Sequence, residues 1–203
     1  MKYIKIITTL FFMGTVFSCG VETQVSQLEA LQSCIFKVKT VDSIYLANTP
    51  IEKLYNKNGL DLSRAPSLAF SMLQQKLPIK ARINLGVTNP GSEDAGINAF
   101  EYIIMIADQE LMKGFYNQAI MVPGNGGEVT IPFKIDTDIY PIMSKPENQK
   151  LIADFFSASK DTSVLITVKI KPNIIVADKK VEYPGYIDIK KVLSNKELLP
   201  YLK

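Results

Sequence analysis

Strict alternation of apolar and polar residues is the feature that most constrains what this chain can fold into. The segment 79–87, IKARINLGV, places an apolar or small residue at every second position. A period of two matches a β-strand with one buried face, whereas an α-helix spreads such a set around its axis. Asn89, Pro90 and Gly91 then end the pattern with residues that favour turns. We therefore expect strands that bury one face in a core.

Similar alternating segments recur and predict a β-rich fold. Strands are predicted over 34–46, 79–87, 97–107, 110–122, 128–135 and 164–170, with a last hairpin of 174–177 and 181–189. A bulge is expected at Asp42 and Ser43, and a tight turn at Asp108 and Gln109. Helices are predicted near 64–75, with Ser63 as N-cap, and over 144–159. About seven strands with one or two helices in the connections predict an immunoglobulin-like antiparallel β-sandwich.

Length and composition favour one domain. The chain has 203 residues, of which 47% are hydrophobic and 21% charged, so a single core can form without disulfides or metals. No linker rich in glycine, serine or proline interrupts 34–190. We expect one domain over 34–203. Residues 19–33, with Leu31 at helical spacing, are expected to form a tether or a short amphipathic helix.

The N-terminal residues have the pattern of a secretory signal. Two lysines precede the apolar segment 6–17, which is too short to cross a hydrocarbon core about 30 Å thick. The segment ends in Val16-Phe17-Ser18-Cys19, which resembles the lipobox of bacterial lipoproteins. The resemblance implies a signal peptide over 1–18 and acyl chains on Cys19, an ordinary secretory signal being the alternative. We expect a lipid-anchored protein of the bacterial cell envelope, outside the cytoplasm, with the outer membrane favoured over the inner.

The inventory of reactive residues restricts the chemistry. The sequence has no histidine, which excludes Ser-His-Asp and Cys-His catalysis and histidine-type zinc sites. With Cys19 lipidated, Cys34 has no partner for an intramolecular disulfide, and its place on the apolar face of a strand predicts a buried structural thiol instead of a nucleophile. The formal net charge of +3 is too small for nucleic-acid binding. We expect no enzymatic activity, no cofactor, no metal and no nucleic-acid partner.

The order of strands and turns across 38–189 carries a family resemblance. Asn89-Pro90 ends an alternating strand, Tyr102 lies in the next one, and Gly114 lies in the strand after that. Aliphatic residues then precede Pro123 and Pro132. This pattern resembles the LEA type 2 family, also called the water stress and hypersensitive response (WHy) domain. The resemblance implies an immunoglobulin-like sandwich of seven strands with a helix, no catalytic residues, and a role in water-stress protection or in the bacterial envelope.

Four further motifs have both a functional and a structural interpretation. Asn89-Pro90-Gly91 is a ligand contact or a turn, and the glycine-rich segment 124–127 is a phosphate loop or a hairpin turn. Because 124–127 lacks the lysine of a phosphate loop and opens no helix, a turn is favoured. Asp136 and Asp138 are calcium ligands or solvated loop acids, the latter favoured. Nine aromatic residues are interpreted as core, with a lipid pocket as the alternative: Tyr102, Phe115, Tyr116, Phe133, Tyr140, Phe155, Phe156, Tyr183 and Tyr186.

Together these patterns favour a non-enzymatic, membrane-anchored binding module. The leading hypothesis is a protein-interaction or stress-protective module, with acyl chains on Cys19 in the membrane and an envelope protein as partner. The alternative is a carrier that holds a lipid or another small apolar ligand between helix and sheet.

Overall fold

The computed structural model describes residues 26–27, 29–56, 59–60, 66–155, 161–176 and 179–198. The described part begins with helical residues 26–27 and 29–33 (α1), as predicted for the segment around Leu31. The predictions for the signal peptide, for Cys19 and for the Ser63 cap lie outside the described residues.

Strands make up most of the described chain and are antiparallel throughout, which confirms the predicted β-rich fold. They are β1 (Ile35–Leu46), β2 (Thr49–Pro50), β3 (Tyr55–Asn56), β4 (Gly59–Leu60), β5 (Pro78–Asn89), β6 (Ala95–Ile97), β7 (Ala99–Ile106), β8 (Gln109–Tyr116), β9 (Ile120–Val122), β10 (Gly127–Asp138), β11 (Ser163–Val176), β12 (Lys179–Glu182) and β13 (Ile187–Ser194). The helices that follow α1 are α2 (Pro66–Leu73), α3 (Tyr140–Met143), α4 (Pro146–Phe155) and α5 (Asn195–Leu198), and a 3₁₀ turn spans Ile51–Leu54.

Two sheets form a sandwich. The first sheet has the order β10-β5-β1-β2, and the second has the order β12-β11-β7-β8 with β13 also paired to β11. Among the described strands, β1, β5, β7, β8, β10, β11 and β13 have eight or more residues, which agrees with the predicted number of about seven. The short pairs β3–β4 and β6–β9 lie outside the two large sheets.

The alternating segment of β5 provides the centre of the first sheet. Ala81, Ile83, Leu85 and Val87 are buried, whereas Arg82 is exposed, so the period of two separates a core face from a solvent face. The opposing face of the second sheet buries side chains of β7 and β11 in the same cluster. Burial of these aliphatic side chains, at about 25 cal/mol per Å² of apolar surface, is the main force that holds the sheets together.

The predicted bulge in the first strand is present. Ser43 has a φ of 54°, and the pairing of β1 with β5 shifts register between Asp42 and Tyr45. The Ser43 hydroxyl and the Arg82 and Asn84 side chains all hydrogen-bond to the Asp42 carboxylate on the solvent face, at 2.7–2.9 Å. The Ser43 hydroxyl in particular, together with Arg82 and Asn84, lowers the pKa of Asp42. This network therefore fixes the bulge in place.

Some predicted boundaries are wrong in the second sheet. The β7–β8 turn consists of Ala107 and Asp108, with φ values of 49° and 60°, and Gln109 already pairs with Ile106. The strand predicted over 97–107 is interrupted at Asn98, which lies between β6 and β7 and belongs to neither. The N–H of Asn98 donates to Asn173 O at 3.1 Å. The strand predicted over 110–122 is likewise divided between β8 and β9.

A proline inside β11 explains another difference. The strands predicted separately over 164–170 and 174–177 form the single strand β11, which pairs with β13 up to Ile170 and with β12 from Asn173 onward. Pro172 thus lies where the neighbouring strand changes and no amide donor is needed on that side. The helix predicted from Ser144 begins at Pro146, after the separate α3.

Candidate functional site

Asn89 holds together one end of the sandwich, which we call the turn end. The side chain of Asn89 is fully buried. Its Nδ2 donates to Glu93 O at 2.7 Å and to Val122 O at 3.1 Å, and its Oδ1 accepts from Gly91 N at 3.0 Å. Because every polar atom of this side chain binds backbone, Asn89 fixes the path of the chain after β5 and leaves nothing for a ligand.

The glycine-rich turn at 123–127 packs against the Asn89 turn. Gly126 N donates to Asn89 O at 2.8 Å, and Asn125 N donates to Gly91 O at 2.6 Å. A Cβ on Gly124 would overlap the carbonyl oxygen of Ser92, so only glycine allows this approach. The structure brings the two candidate loops together, and amides of the 123–127 turn bind carbonyls of the Asn89 turn. This favours the structural interpretation of both over ligand or phosphate binding.

Tyr102 and Gly114 form a cross-strand pair in the second sheet. The two residues are directly opposite in the β7–β8 ladder, and a Cβ on Gly114 would lie 2.5 Å from the Tyr102 hydroxyl oxygen. The tyrosine ring therefore covers the glycine, and its edge contacts Phe133 with ring centroids 5.1 Å apart. Phe133 also lies near Phe100, which stacks on Tyr116 at 4.9 Å. Phe133 belongs to the core and Tyr102 and Tyr116 pack against it, as predicted, and Phe100, which was not in the predicted set, is also part of the core.

The prolines of the family pattern and Asp138 also lie where they support the fold. Pro132 lies opposite Asn84 in β10, at the end of the first sheet's strand order, where a missing N–H hinders the addition of another strand. Pro90 and Pro123 are exposed beside the two turns. Asp138 Oδ1 accepts from Leu77 N at 2.7 Å and from Tyr140 N at 2.9 Å, so it organises the start of α3.

Cys34 is a half-buried thiol at the start of β1. Its Sγ donates to Ala30 O at 3.5 Å, and burial raises the pKa of the thiol. A raised pKa keeps the thiol protonated at neutral pH, which disfavours a nucleophilic role.

An apolar cavity occupies the opposite end of the sandwich, between the two sheets. We call it the inter-sheet cavity, and its end of the molecule the cavity end. Its volume is about 110 Å³. Every lining side chain is apolar: Val41, Ile44, Leu46, Ile51, Ile79, Ala81, Ile83, Ile104, Ile106, Leu111, Ile135, Ile139, Met143, Phe155, Val164, Ile166 and Leu193. Met143 of α3 and Phe155 of α4 add to the wall that the two sheets form.

The sequence predicts aromatic residues as the lining of any lipid pocket. Of the nine predicted aromatic residues, Phe155 lines the cavity and Phe156 lies outside the described residues. The core prediction is wrong for Phe115 and Tyr186, which are 51% and 42% exposed. The lining is aliphatic instead. One feature of the sequence could have indicated the cavity. Ala81 lies between Ile79 and Ile83 on the same face of the strand, and its small side chain leaves space there.

Helix α2 presents a second apolar surface near the cavity end. Phe70 is 60% exposed and Leu73 is 83% exposed, whereas Leu68 is buried on the other side. The Ser67 and Thr49 hydroxyls are 3.2 Å apart, which places α2 next to β2 and the 3₁₀ turn. Among the helical side chains whose burial the structure describes, no other large apolar group is exposed to this extent.

Within the described ranges, no group of three or more cysteine, aspartate or glutamate residues is arranged to hold a metal ion. None of the helices described is both long and apolar enough to cross a bilayer.

Comparisons with known proteins yield structural neighbours at low similarity. A protein from Archaeoglobus fulgidus is 12% identical with a TM-score of 0.36, over 76% of this chain and 95% of its own. A protein designated a candidate late embryogenesis abundant (LEA) protein is 14% identical with a TM-score of 0.37, over 92% and 85%. A protein from Arabidopsis thaliana is 15% identical with a TM-score of 0.38, over 78% and 79%. The sequence matches no family model and no curated protein at a significant level.

A LEA protein is therefore among the structural neighbours of this chain. At these similarity values the likeness assigns no function.

Proposed function

We propose that this chain is a non-enzymatic binding protein of the bacterial cell envelope that takes the hydrocarbon part of an apolar ligand into the inter-sheet cavity. The cavity is the observation that carries the proposal, because its lining offers apolar contact and no described polar group. An apolar cavity of about 150 Å³ lined by aliphatic and aromatic side chains stays dry and binds molecules of the size of benzene. A cavity of about 110 Å³ therefore suits a short hydrocarbon segment.

The position of the cavity supports ligand exchange. It lies at the ends of strands, where Ile51 of the 3₁₀ turn and Met143 and Phe155 of the helices form part of the wall. Short helices and turns at the end of a sandwich can move with less loss of backbone hydrogen bonding than the central strands. On this proposal the sheets provide a fixed wall, and a ligand enters by displacement of α3 and α4.

The proposal includes a lipid anchor on Cys19. Its support is the sequence alone: the apolar segment 6–17 and the run Val16-Phe17-Ser18-Cys19. Several acyl chains on one cysteine would hold the domain firmly at a membrane, since each buried methylene contributes about 0.8 kcal/mol. On this proposal the domain lies outside the cytoplasm, with the outer membrane favoured.

A second candidate is a protein-interaction module, which includes the stress-protective role implied by the LEA type 2 resemblance. The observation that favours it is the exposed apolar surface of α2, formed by Phe70, Met72 and Leu73. Large apolar side chains that cluster on one surface are typical of contact sites. Native mass spectrometry of the purified protein separates the candidates, since a co-purified apolar ligand favours the cavity and a recovered partner chain favours α2.

The test of the leading proposal is to fill the cavity. Ala81→Leu adds a larger side chain to the lining, so it should remove binding of 1-hexanol measured by titration calorimetry. Because the added carbons occupy empty space, the variant should also gain about 1 kcal/mol in the free energy of unfolding. Both proteins would carry Cys19→Ser, so that no acyl chain is attached.

The matched control is Lys80→Leu, which adds a leucine to the same strand on the solvent face. It should bind 1-hexanol as the parent does. If Ala81→Leu and the parent bind the alcohol equally, or if the parent binds none, the cavity is not a ligand site.

A further inference from the structure

Helix α2 is exposed on its apolar side. Successive residues of an α-helix are rotated by about 100°, which divides α2 into two sides. The residues of one side, which we call the α2 face, are all apolar and exposed: Pro66, Ala69, Phe70, Met72 and Leu73. The other side carries Ser67, Leu68 and Ser71, of which Leu68 is buried. An ordinary surface helix has the reverse arrangement, so the α2 face has the composition of a contact surface.

The largest side chains of the α2 face project from the molecule. Phe70 is 60% exposed and Leu73 is 83% exposed, so few groups of the chain surround them. The helix ends directly afterwards, where Gln75 has a φ of 55° and Lys76 N donates to Ser71 O at 3.0 Å. Apolar side chains that project from a short helix can enter the boundary between head groups and acyl chains of a bilayer without a preformed pocket.

The charge around α2 is positive. Between Asp61 and Glu93 the sequence has no acidic residue and four basic ones: Arg64, Lys76, Lys80 and Arg82. Lys76 follows α2 and is exposed, and Lys53, in the 3₁₀ turn that lies next to α2, is exposed as well, with Glu52 as the acidic residue beside it. Neither Lys53 nor Lys76 takes part in an ion pair within the described part of the chain. Both ammonium groups are therefore available to an anionic partner.

We propose that the α2 face binds the surface of a phospholipid bilayer that contains anionic lipids, with Phe70 and Leu73 among the acyl chains and Lys53 and Lys76 at the phosphate groups. Apolar insertion and attraction to anionic head groups add up in this kind of binding. A second copy of the chain fits less well, because two equivalent α2 faces would bring the same lysines together. The proposal goes beyond the function proposed above and does not depend on the inter-sheet cavity.

A single fluorescent probe tests the insertion, because the sequence contains no tryptophan. Phe70→Trp would be made in the chain carrying Cys19→Ser and mixed with vesicles of phosphatidylcholine and phosphatidylglycerol. We expect the emission to shift to shorter wavelength and to be quenched by lipids brominated on their acyl chains. Leu73→Trp is a second probe if the first variant does not fold, and it should behave in the same way.

The matched control is Phe115→Trp. Phe115 is 51% exposed on β8, in the second sheet, and its replacement should show neither the shift nor the quenching. The apolar segment 6–17 is present in every variant, so a difference between variants comes from the substituted position.

Two further substitutions separate the apolar and the electrostatic contributions. Combined with Phe70→Trp, Leu73→Ser should lower the vesicle partition coefficient about tenfold, because a leucine side chain no longer leaves water. Lys76→Gln should lower it about fivefold on the anionic vesicles and leave it unchanged on pure phosphatidylcholine. Lys113→Gln, which removes an exposed charge from β8, should change neither value.

Four results would overturn the proposal. Emission of both α2 probes that anionic vesicles do not change would show that α2 binds no bilayer, and a partner chain recovered by native mass spectrometry would then assign the face to a protein. A shift that grows with protein concentration without vesicles would assign it to a second copy. Equal binding to both vesicle compositions would refute the role of anionic lipid. Quenching of Phe115→Trp to the same extent would mean that the vesicles adsorb the chain without using α2.

Discussion

At the scale of single residues, Asn89 shows how a motif that looks like a binding element can be wholly structural. Its amide joins the chain after β5 to the 91–94 segment and to the end of β9 through three hydrogen bonds to backbone groups. The sequence predicted a turn at Asn89-Pro90-Gly91. It could not predict the bond to Val122, because that contact joins residues 33 positions apart.

Replacing Asn89 with alanine should therefore be strongly destabilising. The change leaves two carbonyl groups and one N–H without a partner, and we expect a loss of about 3 kcal/mol in the free energy of unfolding. Asn84→Ala is the matched control: its amide bonds to Thr40 and Asp42 on the solvent face, where water can replace it, and we expect a loss below about 1 kcal/mol. Urea titration of both variants measures the difference. Equal losses would contradict the structural role assigned to Asn89.

At the scale of elements, the strands were easier to predict than the connections between them. Alternation predicted β1, β5 and β10 closely, since each has one core face and one solvent face. Local sequence predicted the β7–β8 turn one residue too late, because its position depends on the pairing of Ile106 with Gln109. The sequence likewise predicted two strands where β11 is one, since the change of pairing partner beside β11, from β13 to β12, cannot be read from local sequence.

The contact between the two turns predicts a specific effect at Gly124. In Gly124→Ala the new Cβ would meet the Ser92 backbone carbonyl, which cannot move without breaking the turn. We expect a loss of about 2 kcal/mol in stability. Gly126→Asn is the control: Gly126 has a φ of 83° with open space around it, and asparagine tolerates the left-handed region, so a change within about 0.5 kcal/mol is expected. Thermal unfolding monitored by circular dichroism distinguishes the two. A harmless Gly124→Ala would refute the close packing of the turns.

At the scale of the whole molecule, the sandwich follows from the number and order of the alternating strands, whereas the cavity does not. Its lining combines residues from both sheets, the 3₁₀ turn, α3 and α4, and no local pattern brings these together. The one local indication of a cavity was that Ala81 is smaller than Ile79 and Ile83, its neighbours on the same strand face.

The proposed anchor is tested on the whole chain. Cys19→Ser removes the thiol that would carry the acyl chains, so the protein should pass from the membrane fraction to the soluble fraction after carbonate washing. Cys34→Ser is the matched control, because Cys34 lies within the folded domain and cannot serve as the anchor. It should stay with the membranes. Full retention of Cys19→Ser in the membrane pellet would disprove the lipoprotein proposal.

The direction of β1 gives the molecule two poles with different surroundings. β1 begins near the turn end, where Ile35 pairs with Thr88, and runs to the cavity end, where Leu46 pairs with Ile79. Ile44 lies nine residues after Ile35, about 30 Å further along the strand. Cys19 is only seven residues before Ser26, a reach of at most about 25 Å. A bilayer that held Cys19 would thus lie closest to the turn end, and the cavity would open towards the aqueous space or an apposed surface. A ligand would then reach the cavity from solution or from a facing membrane, and not from the leaflet that holds the acyl chains of Cys19.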